Sequence, residues 1–534
     1  MSDASTTLEP VSAVAPESAL ASMRARLRAV PRTLYAFLAV WVIELFVVQA
    51  VTLVPPHSRA GYARVSEGTG RLLLDVAFCL GLSLVLGRGA LALLQVVLLP
   101  VVIGLTIYKA YFHQALSVLT VINQGGEGAR VSDAGFALLS PWHGALLVAL
   151  ALKLLLLLRA PSRRDLRLGG LILAGYAVAV LTLSTVAKPL RKIATWESVS
   201  GLGVLYGYTP AWIAELIFFD AELLKSRALA RAASTPKSKL TAIEAPIPRR
   251  DRVLLLQIES LDFALHEFSV SGRPVTPFLN RLSREARFYA VRAEKRTGSS
   301  DADFAALMGK LPSTDVATYK IRGYPFAQSV IAPLTARGFR TQAVHGVSGE
   351  FFNRRPAYVE MGFSDLIFRE EFQARGLVDG SRWAVSDGDL FTLARAEQRG
   401  ISGKLLQLVI TATSHIPFHD LSDDMKTFFP GSHVTAENYL DAIAYVDREI
   451  ERFVTSLDAE TTVVIYGDHT SQVASERVGY QQKVRDGIGL VPLYIHDTSE
   501  KLAPSQSAAT RAHALDGTYT LLDGLSYVHA QMLN

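Results

Sequence analysis

The chain has 534 residues, 50% of them hydrophobic and 19% charged, with a formal net charge of +5. That length exceeds one compact core and calls for at least two domains. The modest basic excess sits in Arg/Lys clusters beside apolar runs rather than in a stripe with interleaved aromatics, which excludes nucleic acid as the expected partner, and a single cysteine, Cys79, excludes an intrachain disulfide framework.

Residues 1–32 open with a polar, Ser/Ala/Pro-rich stretch and no evident cleavable signal peptide, so a largely disordered cytoplasmic N-terminus is expected. From 33 to 187 the chain is apolar. Five segments, 33–54, 70–87, 89–108, 142–158 and 168–187, approach the about 20 residues that cross a bilayer as a helix. Arg24, Arg26, Arg28 and Arg32 precede the first, Arg88 lies between the second and third, and Arg159, Arg163, Arg164 and Arg167 lie between the fourth and fifth. The positive-inside rule places these regions in the cytoplasm and everything after about residue 190 outside; Lys188, Arg191 and Lys192 vote the other way. The spans read as free of charge near mid-depth, which sets a transporter or channel aside.

Residues 188–250 join the two parts. Tyr208–Leu224 has the spacing of an amphipathic helix, lying on the membrane surface or packing against the soluble part. Ala232–Arg250 is polar and proline-bearing and reads as a tether.

The remainder, 251–534, alternates short apolar runs with helical patterns, as expected for an α/β domain with a mainly parallel central sheet. Strands are predicted at Val253–Ile258, Arg340–Val344, Leu405–Thr411, Thr461–Tyr466 and Val491–His496. Helices are predicted at Thr276–Ala286, with Thr276 as N-cap, and at Ala436–Leu457. In such sheets ligands bind beyond the carboxyl ends of strands. Three strand ends deliver Glu259-Ser260, Thr413-Ser414-His415 and Gly467-Asp468-His469 to one edge. Carboxylates and imidazole together suit Mn²⁺, Mg²⁺ or Zn²⁺. Such an ion polarises phosphoryl oxygens and activates a hydroxyl. Ser299 or Ser300 would supply that hydroxyl at the start of a helix whose first turn carries Asp301 and Asp303, although Ser followed by acids is also ordinary capping.

Six pieces in order carry a resemblance: Gln257-Ile258-Glu259-Ser260, Ser299-Ser300-Asp301-Ala302-Asp303-Phe304, His345-Gly346 with Phe352-Asn353-Arg354, Val385-Ser386-Asp387, Thr411 to Phe418, and Tyr466-Gly467-Asp468-His469. Over roughly 250–525 the chain resembles the lipoteichoic acid synthase and phosphoglycerol transferase branch of the alkaline phosphatase/sulfatase superfamily. The resemblance implies a metal-dependent phosphotransferase of the bacterial inner membrane with its catalytic domain in the periplasm or its equivalent. It would move a phospholipid headgroup, sn-glycerol phosphate from phosphatidylglycerol, onto a cell-envelope glycan or lipid through a covalent phosphoryl intermediate. Glu259, Asp468 and His469 would hold one divalent ion, manganese first, with Ser299 as nucleophile and fourth ligand. Arg354 and His415 would hold the substrate phosphate, Phe352 and Asn353 the pocket wall, and His345 the headgroup.

Three departures are visible. The family nucleophile is usually threonine, and here Thr297 stands two residues before Ser299, as its alternative. Phe352 replaces a tryptophan common in teichoic-acid polymerases, and Val347 replaces an acid. A phosphoethanolamine transferase or a phosphodiesterase of the same superfamily is the alternative activity, though the single cysteine disfavours the disulfide-rich transferases. No Cys/Ser-x-Pro-x-Arg context surrounds Ser299, which disfavours sulfate-ester hydrolysis. A catalytically inactive sensor or scaffold is disfavoured by the intact Glu259, Ser299, Asp468 and His469.

Overall fold

The computed structural model describes residues 16–53, 65–112, 139–160, 164–185 and 206–533, apart from 219, 294, 315, 378–382, 419–420, 458–459, 472–483, 486–487 and 500–507, and scattered positions between 115 and 126. It divides into two compact units: Met1–Ile107 with Ser140–Phe218, and Tyr108–Leu139 with Phe219–Asn534.

The first unit is helical. Its elements are α1 (Pro16–Arg28), α2 (Arg32–Thr52), α3 (Val65–Val85), α4 (Arg88–Phe112, running on past the unit's edge), α5 (Pro141–Arg159), α6 (Leu166–Thr185) and α7 (Tyr208–Phe218). Sequences this rich in Leu, Val and Ala satisfy their backbone groups internally as helices, the one open-chain solution in lipid. Four stretches are long and apolar enough to cross a membrane, Arg32–Thr52, Arg88–Lys109, Pro141–Arg159 and Leu166–Leu183. The count supported among the described residues is therefore four, against the five expected. The remaining segment, 70–87, is helical as α3, but α3 carries Glu67, Arg71 and Asp75.

Charge does occur at mid-depth, contrary to the sequence expectation. Glu44 and Lys153 each lie twelve residues into their helices, about 18 Å along the axis. They are buried against each other, and Lys153 Nζ also donates to Gln95 Oε1 of α4 at 2.7 Å. The pair neutralises itself and keeps both charges off the lipid, which is why hydropathy averaging passes over it. Lys153→Ala leaves Glu44 buried alone and is expected to destabilise the chain by about 3–5 kcal/mol. Thermal melting of the full chain in detergent tests this; an unchanged midpoint contradicts it, and Glu44→Ala added to Lys153→Ala should recover much of the loss.

In place of the expected helix 208–224, the described residues hold α7, ending at Phe218, and a second helix starting at Ala221. Asp220 accepts hydrogen bonds from Glu222 N and Leu223 N and so starts a new helix, α8 (Ala221–Ala233). In α7, Ala211 and Ala214 pack against Tyr176 and Val180 of α6.

The second unit holds an α/β sheet. Its main strands are β1 (Arg252–Ile258), β2 (Arg287–Arg292), β3 (Arg340–His345), β4 (Asp365–Ile367), β5 (Leu405–Ile410), β6 (Thr461–Gly467) and β7 (Ile488–Asp497). Their order is β2-β7-β6-β1-β5-β3-β4, with the two-residue strand Val484–Arg485 paired to β7. From β6 to β4 every pairing is parallel, and β7 is antiparallel to both its neighbours. The central β1 runs Val253-Leu254-Leu255-Leu256-Gln257-Ile258, all buried, as a strand covered on both faces requires. Two strands escape the sequence reading: β2 is bracketed by arginines and β4 has three residues.

The helix Pro277–Glu285 is not capped by Thr276, whose side chain makes no capping bond. Asp447, from the helix Thr435–Val454, accepts from Phe278 N and Leu279 N, both at 2.9 Å. Nor is 232–250 a bare tether. A short helix, Lys239–Ile243, buries Leu240, and Ser238 Oγ donates to Asp523 O at 2.7 Å.

Candidate metal centre and active site

The parallel strands β1, β5 and β6 end side by side, so the residues beyond them converge. Glu259 and Ser260 follow β1, and Asp468 and His469 follow β6. At Gly467 a Cβ would meet Leu261 O at 2.4 Å, so only glycine lets the two turns approach this closely. The loop after β5 ties in: Glu259 N donates to Thr411 Oγ1 at 3.0 Å, and Ser414 Oγ donates to Glu259 O at 2.5 Å. Buried Asp387 accepts from Ala412 N and Thr413 N and fixes that loop; burial pushes its carboxyl up to about 6. The helix Ser300–Met308 brings Ser299 to the same point.

Glu259, Asp468, His469 and Ser299 are each at most 8% exposed. One ligand atom from each of Glu259, Asp468 and His469 lies within 4.8 Å of the others. Ser299 Oγ is 3.0 Å from Glu259 Oε2 and 3.1 Å from His469 Nε2. His469 Nδ1 donates to Thr470 O at 3.0 Å, which leaves the Nε2 lone pair facing Glu259 Oε1 at 3.3 Å and Asp468 Oδ2 at 3.4 Å. Asp468 Oδ1 accepts from Ser260 N and His469 N, whereas Asp468 Oδ2 is buried and, among the described residues, has no hydrogen-bond partner. Glu259 Oε1, Asp468 Oδ2 and His469 Nε2 are acceptors crowded round one point, beside the hydroxyls of Ser260 and Ser299, and such a set fits a bound cation. Burial and adjacent Glu259 push the Asp468 carboxyl well above the usual range. Burial acts the same way on Glu259, but His469, His415 and Lys295 outweigh it and hold Glu259 well below.

Thr297 is committed elsewhere. Its Oγ1 donates to Asp301 Oδ1 at 2.6 Å and its N–H to Asp301 Oδ2 at 2.7 Å. Gly298 between the two hydroxyls has φ 148°, and a Cβ there would strike the Phe352 ring at 2.3 Å. Phe352 and Asn353 both have positive φ, 56° and 63°, a strained pair of the kind that gathers at functional sites.

The residues expected on the substrate side occupy one neighbourhood. Arg354 is fully buried and stacks over Phe352 at 5.4 Å. Its Nε and Nη2 are held by Asp303 at 3.1 and 3.0 Å, and Tyr358 OH donates to the same carboxylate. Asn353 Nδ2 donates to Tyr319 O at 2.7 Å. His345, at the end of β3, donates Nδ1–H to Ile410 O; burial and nearby Arg354 push it down to about 3, so it stays neutral with Nε2 as an acceptor. His415 donates Nδ1–H to Ile416 O and lies 4.5 Å from the Trp383 ring.

Sequence reasoning missed three contributors. Lys295 is half-buried with its Nζ enclosed, and burial pushes it down to about 8, against the opposing pull of Glu259, Asp468 and Asp301. Ser260 Oγ donates to Glu259 Oε1 at 2.8 Å, and Trp383 walls His415. The only signal for Lys295 was a cation four residues before the hydroxyl, inside a run of polar residues.

The sulfatase family profile matches residues 251–527, more than half of the chain. The chain belongs to the sulfatase family. This places its C-terminal unit in the alkaline phosphatase superfamily, as the sequence resemblance implied. The sulfatase-family chain is 23% identical over 442 residues to lipoteichoic acid synthase 2 of Bacillus subtilis strain 168, covering 74% of itself and 66% of that relative. It is 26% identical over 238 residues to the lipoteichoic acid synthase of Staphylococcus saprophyticus, covering 41% of itself and 36% of the relative. The solved lipoteichoic acid synthase of Listeria monocytogenes is similar at 24% identity with a TM-score of 0.41, over 47% of this chain and 66% of that one. The chain thus spans less than two thirds of the length of each of these proteins.

Proposed function

We propose that this sulfatase-family chain is a phosphotransferase that moves a phospholipid headgroup, sn-glycerol phosphate from phosphatidylglycerol, onto a glycan or lipid acceptor of the bacterial cell envelope. The observation that carries the reading is the placement of Ser299 Oγ at 3.0 and 3.1 Å from Glu259 and His469, two of the three residues able to hold a metal. A divalent cation, Mn²⁺ before Mg²⁺ or Zn²⁺, bound by Glu259, Asp468, His469 and Ser299 Oγ would polarise the phosphoryl oxygen and lower the hydroxyl pKa.

Ser299 Oγ attacks phosphorus, and its proton has Glu259 Oε2 and His469 Nε2 within reach. The P–O bond to diacylglycerol breaks, and the departing oxygen takes up a proton. The acceptor hydroxyl then attacks the same phosphorus, the Oγ–P bond breaks, and Ser299 regains its proton. Neutral His345 offers Nε2 to a headgroup hydroxyl, while Arg354, His415, Asn353 and Phe352 form the phosphate side of the pocket. Arginine-rich connections put the N-terminus in the cytoplasm. With α3 counted as a span, the catalytic unit emerges on the outer face of the inner membrane.

The test is incubation of the full chain with phosphatidylglycerol or phosphatidylethanolamine labelled in the headgroup. Transfer of the glycerol label with release of diacylglycerol supports the reading. Transfer of the ethanolamine label alone reassigns the donor, and no movement of either label sinks it.

Arg354→Ala leaves Asp303 buried without its counter-ion and should lower stability by about 3–5 kcal/mol. Metal bound per folded chain should be unchanged. A parallel loss of metal would contradict the assignment of Arg354 to the substrate side.

A further inference from the structure

The geometry points to a second phosphate-binding site, sharing no residue with the metal centre, in a cavity of about 340 Å³ between α8 and the loop at Ser313 and Thr314. The volume lies at the small end of the roughly 300–1,000 Å³ usual for small-molecule sites. Its polar lining is Arg227, Arg231, Ser234, Ser313 and Thr314. Every side chain in that set can donate a hydrogen bond, two of them carry fixed positive charge, and no carboxylate is among them. Asp315, next in sequence, lies outside the described residues.

Arg227 and Arg231 are four residues apart on one helix and therefore share a face, where like charges repel unless something neutralises them. The two are not equivalent. Arg231 Nε donates to Pro312 O at 2.7 Å and ties the loop to the helix. Arg227 Nη1 is buried and, among the described residues, has no hydrogen-bond partner. A guanidinium cannot shed its proton to escape that situation, so the arrangement is completed by an anion from outside. Phosphate is the anion that a planar guanidinium edge and nearby hydroxyls match best.

Eight residues of chain lie between Arg227 and Phe218, the last residue of the apolar unit. A phospholipid headgroup is therefore one source of the phosphate, and a free phosphate ester is the other. The site stands without the proposed activity, because it involves none of the residues proposed for transfer.

The test uses the full chain with chelator present, so that the metal centre contributes no anion binding. Inorganic phosphate and sn-glycerol phosphate are titrated by calorimetry into wild type, Arg227→Gln and Arg227→Lys in detergent. Lipid retained per chain is counted by native mass spectrometry after passage through nanodiscs of phosphatidylcholine with or without phosphatidylglycerol. Binding of the free esters that weakens about tenfold or more in Arg227→Gln, with partial recovery in Arg227→Lys, supports a site for a free phosphate ester. Retention of phosphatidylglycerol by wild type but not by Arg227→Gln, without binding of the free esters, supports a headgroup site. Equal binding by wild type and Arg227→Gln, or no binding of any probe by wild type, overturns it. Matching melting curves for the three proteins establish that the comparison is made between folded chains.

Discussion

Ser299→Ala is expected to lower phosphoryl transfer by on the order of 10⁴–10⁶-fold, the scale on which an enzyme loses rate when its covalent nucleophile goes. The fold should survive the change. Ser299 stands at the start of the helix Ser300–Met308, but its side chain makes no capping bond there, so alanine removes only contacts within the cluster. Thr297 is the built-in control. Its hydroxyl is spent on Asp301 Oδ1 at 2.6 Å, and Thr297→Ala should cost about 1 kcal/mol of stability with a small change in rate. Single-turnover transfer from labelled phosphatidylglycerol separates the two. A Ser299→Ala protein that turns over normally beside a dead Thr297→Ala protein would assign the nucleophile to Thr297.

The cluster was legible because its residues follow buried apolar strands, and a parallel sheet carries strand ends to one edge. Glu259, Asp468 and His469 come directly after β1 and β6, whose all-buried runs leave little choice of register. What the sequence could not reveal depends on contacts between distant segments. Arg354 looks like a phosphate ligand, yet Asp303, 51 residues earlier, holds two of its nitrogens. Thr276 has the local signature of an N-cap, but Asp447 reaches across from another helix to do that work. In the apolar unit, averaging hides a Glu44–Lys153 pair because its members lie 109 residues apart and each is diluted by leucine and valine. Strand β2 was missed for a similar reason: Arg287 and Arg292 bracket four apolar residues, and the partner that buries them, β7, comes about 200 residues later. Local pattern reports which face is apolar; it does not report which polar groups will meet.

Asp468→Asn should produce a crossing in stability that no purely structural role would give. Asp468 Oδ1 accepts from Ser260 N and His469 N, and an asparagine oxygen in the same place can keep both bonds. Asp468 Oδ2 has no hydrogen-bond partner among the described residues and lies 3.4 Å from His469 Nε2, which is itself 3.3 Å from Glu259 Oε1. In chelator the wild-type chain must bury two neighbouring carboxylates, so Asp468→Asn, with one charge fewer, should melt higher than wild type. Added Mn²⁺ reverses the order. At a hundred times its dissociation constant a ligand stabilises the folded chain by about 2.7 kcal/mol, a gain the variant forfeits with its ligand atom. Elemental analysis should find one ion per wild-type chain and far less than one in Asp468→Asn. Transfer should fall about 10⁴-fold, the equivalent of several kcal/mol of lost charge stabilisation. If the variant melts below wild type by the same margin with and without Mn²⁺, the carboxylate is a strut rather than a ligand, and the metal centre must be sought elsewhere.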